Sequence, residues 1–232
     1  MSAALPLIDQ VGRLIERTYD FDAGVGPLGR FVVGDLGHAR LIERQRAGAG
    51  ADVTEGAGAR LLLRPLPRRE AWAAALYLPD ALIETLERHD PRREIGGQNV
   101  GEFATLVEEV DHLLTFADRV RRREGPLSLL ELEWHAGVTK YLVLTHFIAR
   151  LTGRRDIGDA ARSFVERYLF PAEYSEEDPA VRARYRDADR FAIRLIRALR
   201  PRSPSERLRL LRRFHRANHH EKMREFARLP VA

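Results

Sequence analysis

Glu108, Glu109, Asp111 and His112 crowd one stretch of the chain, and Glu131, Glu133 and His135 follow on the next. Carboxylates and imidazoles at this density are the material of oxygen/nitrogen metal sites and of general acid–base catalysis. A turn at Glu124 to Leu127 makes the two stretches an antiparallel helical hairpin. Counting from Gly125, His112 lies 13 residues back and His135 ten residues on, so at about 1.5 Å rise per residue their heights differ by about 4 to 5 Å. Glu109 and His112 are three apart and Glu108 and His112 four apart, spacings that share a helix face. Glu109-x-x-His112 is the spacing of di-iron carboxylate bundles, but those bundles need it twice and here it occurs once. The expectation is therefore a mononuclear divalent site from Glu109 (or Glu108), His112 and His135, with donors that suit zinc, iron or manganese. The same residues also suit a polar seam between packed helices.

Lys140 sits near this cluster, in a segment that is apolar on nearly every side from Val138 to Ile148. Of the 39 basic residues only two are lysines, Lys140 and Lys222. A compact ammonium kept among so many arginines points to a space that a guanidinium does not fit. By the hairpin count Lys140 lies opposite Glu109, and a buried or half-buried pair with Glu108, Glu109 or Glu133 would satisfy its charge. Such a pair is either structural or, with a shifted lysine, catalytic, with Glu108, Glu109 and Lys140 as the acting groups.

The arginines make a second candidate. Residues 1–149 carry a net charge of −4 and residues 150–232 a net of +9. Arg207, Arg209, Arg212, Arg213 and Arg216 fall on one helical stretch, preceded by an arginine-lined segment from Arg182 to Arg197. Guanidinium forks suit phosphates and carboxylates, so residues 180–228 are expected to contact an acidic protein or a nucleic acid. Asp187, Asp189, Glu221 and Glu225 interrupt the run, and no named nucleic-acid-reading motif is present.

Other motifs carry less. Gly24-Val-Gly26-Pro-Leu-Gly29 matches GxGxxG, but it follows a helical pattern, leads toward a strand and contains Pro27, all contrary to a dinucleotide turn. The glycines of residues 47–59 lack the Gly-Lys-Ser/Thr of a phosphate loop. Ser128 and Ser203 read as helix caps rather than nucleophiles.

The elements that must position these groups are legible in outline. Leu7, Ile8, Val11, Leu14 and Ile15 predict a first amphipathic helix. Arg30–Gly34 reads as a strand, 39–46 as a helix and 47–59 as a loop. Arg60–Arg64 and Trp72–Leu78 read as a hairpin around Pro65-Leu-Pro67. Asp80 is expected to cap a helix to Arg88. Three capping boxes, Asn99…Glu102, Ser128…Glu131 and Ser203…Glu206, predict helices over 99–123, 128–151 and 204–214. The stripe Val181, Tyr185, Ala188, Ala192, Leu195, Leu199 predicts one more from Pro179 to Leu199.

The fold class expected is α+β, predominantly helical, with a small α/β region over 1–98 and a helical bundle over 99–232 in one continuous domain. Apolar residues at 44% and charged residues at 31% exclude a disordered chain. No apolar run is long enough to span a membrane, no basic-then-apolar signal pattern opens the chain, and there is no cysteine. A cytoplasmic location follows as the expectation. So does a non-enzymatic binding or adaptor protein whose basic C-terminal helices meet an acidic partner; the alternative is a metal-dependent enzyme centred on the 108–135 hairpin.

Overall fold

The computed structural model describes residues 5–46, 51–52, 58–66, 71–171, 173–174 and 177–229. Their helices are α1 (Leu7–Tyr19), α2 (Asp35–Arg46), α3 (Asp80–Arg88), α4 (Val100–Arg121), α5 (Leu129–Thr152), α6 (Gly158–Leu169), α7 (Pro179–Leu199), α8 (Pro204–Arg216) and α9 (His219–Arg228). Four strands, β1 (Val32–Val33), β2 (Ala51–Asp52), β3 (Arg60–Leu66) and β4 (Ala71–Tyr77), make one sheet in the order β1-β4-β3-β2. The architecture is α+β and predominantly helical, as the patterning required. No described helix is long and apolar enough to cross a membrane.

The sheet is antiparallel except for β1, which runs parallel to β4. Leu61 opposite Leu76 and Leu63 opposite Ala74 carry its inner face onto α4. Of the expected strand at Arg30–Gly34, Arg30 and Phe31 end a 3-10 turn over Leu28–Phe31 and only Val32 and Val33 pair, as β1. Gly24 and Gly26 have positive φ (69° and 68°) and lead into this turn, so the GxGxxG run opens no α-helix. β3 runs on through Pro65 and Leu66, and β2 lies inside the expected 47–59 loop. The remainder of that loop, 47–50 and 53–57, and residues 67–70 of the hairpin turn lie outside the described residues.

α4 and α5 form the centre, and both are buried on nearly all sides. Sheet, α1 and α3 cover α4, while α6 and α7 cover α5. Gly137 lets α5 and α7 approach closely: a Cβ there would sit 3.1 Å from the Ala192 Cβ. Ser128 and Ser203 form the reciprocal boxes expected of them, each accepting from the glutamate's backbone N–H three residues on. Asn99 does not. Its side chain turns back to accept from Gly96 N and donate to His89 O and Glu94 O, fastening the loop before α4. An amide has both donor and acceptor to spend, and the polar loop offers more partners than the helix end. The third box is instead Asn218…Glu221 at α9. Asp80 is the first residue of α3 rather than its cap, and its carboxylate accepts from Asp35 N at 3.3 Å.

Candidate functional site: buried charges on the central hairpin

The polar residues of α4 and α5 sort into separate clusters because an α-helix turns about 100° per residue. Glu133 and Lys140, seven apart, share one face of α5, whereas His135, about 200° on from Glu133, looks the other way. Equal height along the hairpin was therefore not enough to bring His112 and His135 to one site. The structure gathers Glu108, His112 and Glu133 instead, with one donor atom of each within 4.8 Å of the others. Among the described residues this is the one trio of His, Asp or Glu side chains gathered so closely. Glu109 adds a carboxylate 3.8 Å from His112 Nδ1, and Glu133 lies 4.0 Å from His112 Nε2.

His112 is fully buried, and its ring nitrogens meet carboxylates at ion-pair rather than hydrogen-bond distance; Glu109 Oε2 likewise makes no hydrogen bond. Burial opposes charge on His112, but Glu109, Glu133 and Glu108 outweigh it and lift the imidazole to about 9. Burial, with Glu108 adding repulsion, pushes the Glu133 carboxyl up to about 8. Lys140 donates to Glu108 Oε2 at 2.5 Å. This pair keeps 17% and 22% side-chain exposure and lies in the wall of a cavity of about 520 Å³. Tyr168 closes one side of that cavity, its hydroxyl lying over Gly101, where a Cβ would come within 2.6 Å. Thus Glu108 and Lys140 reach solvent while His112, Glu109 and Glu133 stand behind them.

His135 belongs to a second network that joins α1, α4, α5 and α8. Its Nδ1 donates to Asp111 Oδ2 at 2.8 Å, and its Nε2 lies 3.1 Å from His215 Nδ1; His215 Nε2 lies 3.0 Å from Asp118 Oδ2. Thr139 donates to Asp111 and lies 2.8 Å from the Tyr19 hydroxyl. Three links along Asp111–His135–His215–Asp118 need three ring protons on two imidazoles, so the pair carries one positive charge between two carboxylates. Burial, reinforced by His135, pushes His215 down to about 4 despite Asp118. The shared proton thus lies between a carboxylate at each end of the chain, Asp111 and Asp118.

The lowered His215 value predicts a pH dependence. Between its ordinary value near 6.5 and about 4, the unfolded chain takes up a proton that the folded chain refuses. Stability is thus present above 6.5 and lost on acidification, by about 2 to 3 kcal/mol at pH 4.5. Urea unfolding at pH 7 and pH 4.5 should show this loss in the wild type and a smaller one in His215→Phe. Equal losses in the two proteins would contradict it.

A third cluster closes the end of the hairpin. Glu131 Oε1 stands 3.7 Å from both Arg119 and the fully buried Lys222 of α9. Burial brings Lys222 down to about 8, with Glu131 offsetting part of the effect. The contacts of Tyr19, His215 and Lys222 with the hairpin, and with them the role of Asp118 on α4, escape a sequence reading because α1, α8 and α9 meet the hairpin only through long-range packing, and no local spacing announces it.

The arginines of the basic third divide. Arg207 is spent on the C-terminal end of α7, donating to the carbonyls of Arg200 and Arg202 at 2.7 and 2.8 Å. Arg209, Arg212, Arg213 and Arg216 line a groove of about 990 Å³ between α8 and α9. Comparison with known proteins lends no assignment: no family profile matches the chain, and no curated protein or solved structure matches it either.

Proposed function

We propose that the chain is a divalent-metal-dependent enzyme, its ion held by Glu108, His112 and Glu133 with Glu109 beside them, and its substrate admitted by the cavity that exposes Glu108 and Lys140. The observation that carries this is His112: a fully buried imidazole with no hydrogen bond to either nitrogen, held among carboxylates at 3.8 and 4.0 Å that leave room for an ion between them. A buried polar group without a partner costs about 1 to 3 kcal/mol. A cation among these groups gives imidazole and carboxylates a common partner. Two glutamates and one imidazole suit zinc, iron or manganese and leave coordination positions for water and substrate. Such an ion, when bound, acidifies water, so metal-assisted hydrolysis is the reaction class. Lys140, at the cavity wall, offers positive charge to an oxyanion developing on the substrate.

Elemental analysis of protein expressed with zinc or manganese supplementation tests this. Stoichiometric metal is expected in the wild type and its loss in His112→Ala and Glu133→Gln. Metal-free protein from supplemented cultures, with no thermal stabilisation by added zinc or manganese, would reject the centre and leave the cluster as a structural seam. The adaptor role expected from the basic third concerns α7 to α9 and makes no demand on these residues.

A further inference from the structure

Two basic grooves flank α9. On one side Arg224 and Arg228 of α9 face Arg209, Arg212, Arg213 and Arg216 of α8, six arginines against the carboxylates of Asp20, Glu221 and Glu225. On the other, Phe226 of α9 closes a groove of about 900 Å³ lined by Arg182, Arg186, Arg190, Arg194 and Arg197 of α7, against Glu173 and Asp189. Several carboxylates hold arginines in place rather than cancelling the surface. Asp20 lies 3.7 Å from Arg212 and 3.4 Å from Arg216, Glu225 lies 3.8 Å from Arg213, and Asp187 lies 3.4 Å from Arg190. Arg186, Arg197, Arg209, Arg224 and Arg228 are exposed and make no ion pair among the described residues.

We propose that α7, α8 and α9 together form a two-groove binding surface for a nucleic-acid backbone, independent of the metal centre. The spacing favours a polymer with a charge in every repeat. Arg182, Arg186, Arg190 and Arg194 advance by four residues each, about 6 Å along the helix axis per step, Arg186 and Arg190 presenting their forks while Arg182 and Arg194 each give one nitrogen to a backbone carbonyl, of Glu177 and Leu229. A ladder of planar forks at even intervals suits phosphates, which accept from a guanidinium through two oxygens at once. The α7 groove also contains Phe170 and Tyr174, apolar faces against which bases can stack. An acidic protein, whose carboxylates follow no regular spacing, makes less use of such a groove.

Fluorescence anisotropy with the full chain and labelled mixed-sequence oligonucleotides, single-stranded RNA, single-stranded DNA and duplex DNA, tests the proposal from 50 to 200 mM salt. Binding should weaken steeply with salt, the log–log slope being about −0.7 to −0.9 per phosphate neutralised. Arg209→Ser with Arg224→Ser and Arg228→Ser should flatten that slope by about 2, and Arg186→Ser with Arg197→Ser by more than about 1. Both sets are exposed and unpaired, so unchanged melting temperatures are expected. The combined variant should lose binding. Absence of binding by the wild type at 50 mM salt, or a slope that neither set alters, overturns the proposal. Sensitivity to one set alone overturns the two-groove arrangement. Displacement of the oligonucleotide by polyglutamate at equal charge concentration would overturn it in favour of an acidic protein partner.

Discussion

Asp111→Ala is expected to cost about 3 to 5 kcal/mol, enough to bring a domain of ordinary stability close to unfolding. Asp111 has no exposed surface and accepts from His135 Nδ1 and Thr139 Oγ1, each at 2.8 Å. Burial works against its charge, but the His135 ring holds its carboxyl below the usual carboxylate range. Its removal leaves the charge shared by His135 and His215 without one of its two counter-ions, in a space closed to bulk solvent. The expense belongs to the orphan rather than to the pair. Asp111→Leu combined with His135→Leu should therefore cost markedly less than the sum of the single changes. Urea denaturation of the four proteins in this cycle measures it. A single-variant loss below about 1 kcal/mol, or strict additivity, would show that the two side chains are not coupled.

The network around Asp111 also shows where a linear reading of this chain succeeds and where it stops. The hairpin, both serine capping boxes and the α7 stripe were legible because they rest on local spacing and on side chains reaching their own backbone. The crowd of acids and histidines was equally legible as a crowd. Its division was not, because height along two helices is a one-dimensional measure and the faces are set by rotation about each axis. The hairpin count sets Lys140 opposite Glu109, but the structure pairs it with Glu108, one residue away on α4 and the carboxylate that shares its access to the cavity. The short strands failed for another reason. Two residues of β1 and two of β2 hold no period of their own and exist only because β4 and β3 offer them backbone partners. α6 and α9 lacked the strong stripe of α7, and they are helical partly because α5 and α7 give their apolar residues somewhere to go.

Trp134→Ala should be the most damaging apolar truncation, at about 3 to 5 kcal/mol. Trp134 is 2% exposed, and its ring centre lies 5.0 Å from that of Phe191, 5.0 Å from Phe214 and 5.9 Å from Phe226. These three rings belong to α7, α8 and α9, so one side chain of α5 ties all the basic helices to the centre. The cavity left by alanine cannot be filled by one neighbour moving, because each is held on a different helix. Trp134 Nε1 is buried without a protein acceptor, so the indole contributes packing and not a hydrogen bond. Trp134→Phe keeps one aromatic ring in the knot and should cost clearly less than Trp134→Ala, the remainder being the smaller cavity it leaves. Hydrogen exchange then reports where the damage falls. In Trp134→Ala the amides of α8 and α9 should exchange faster, while those of β3 and β4, which reach the bundle through α4, should keep their protection. Uniform acceleration over sheet and helices alike would mean that the aromatic knot holds the whole domain rather than its basic third.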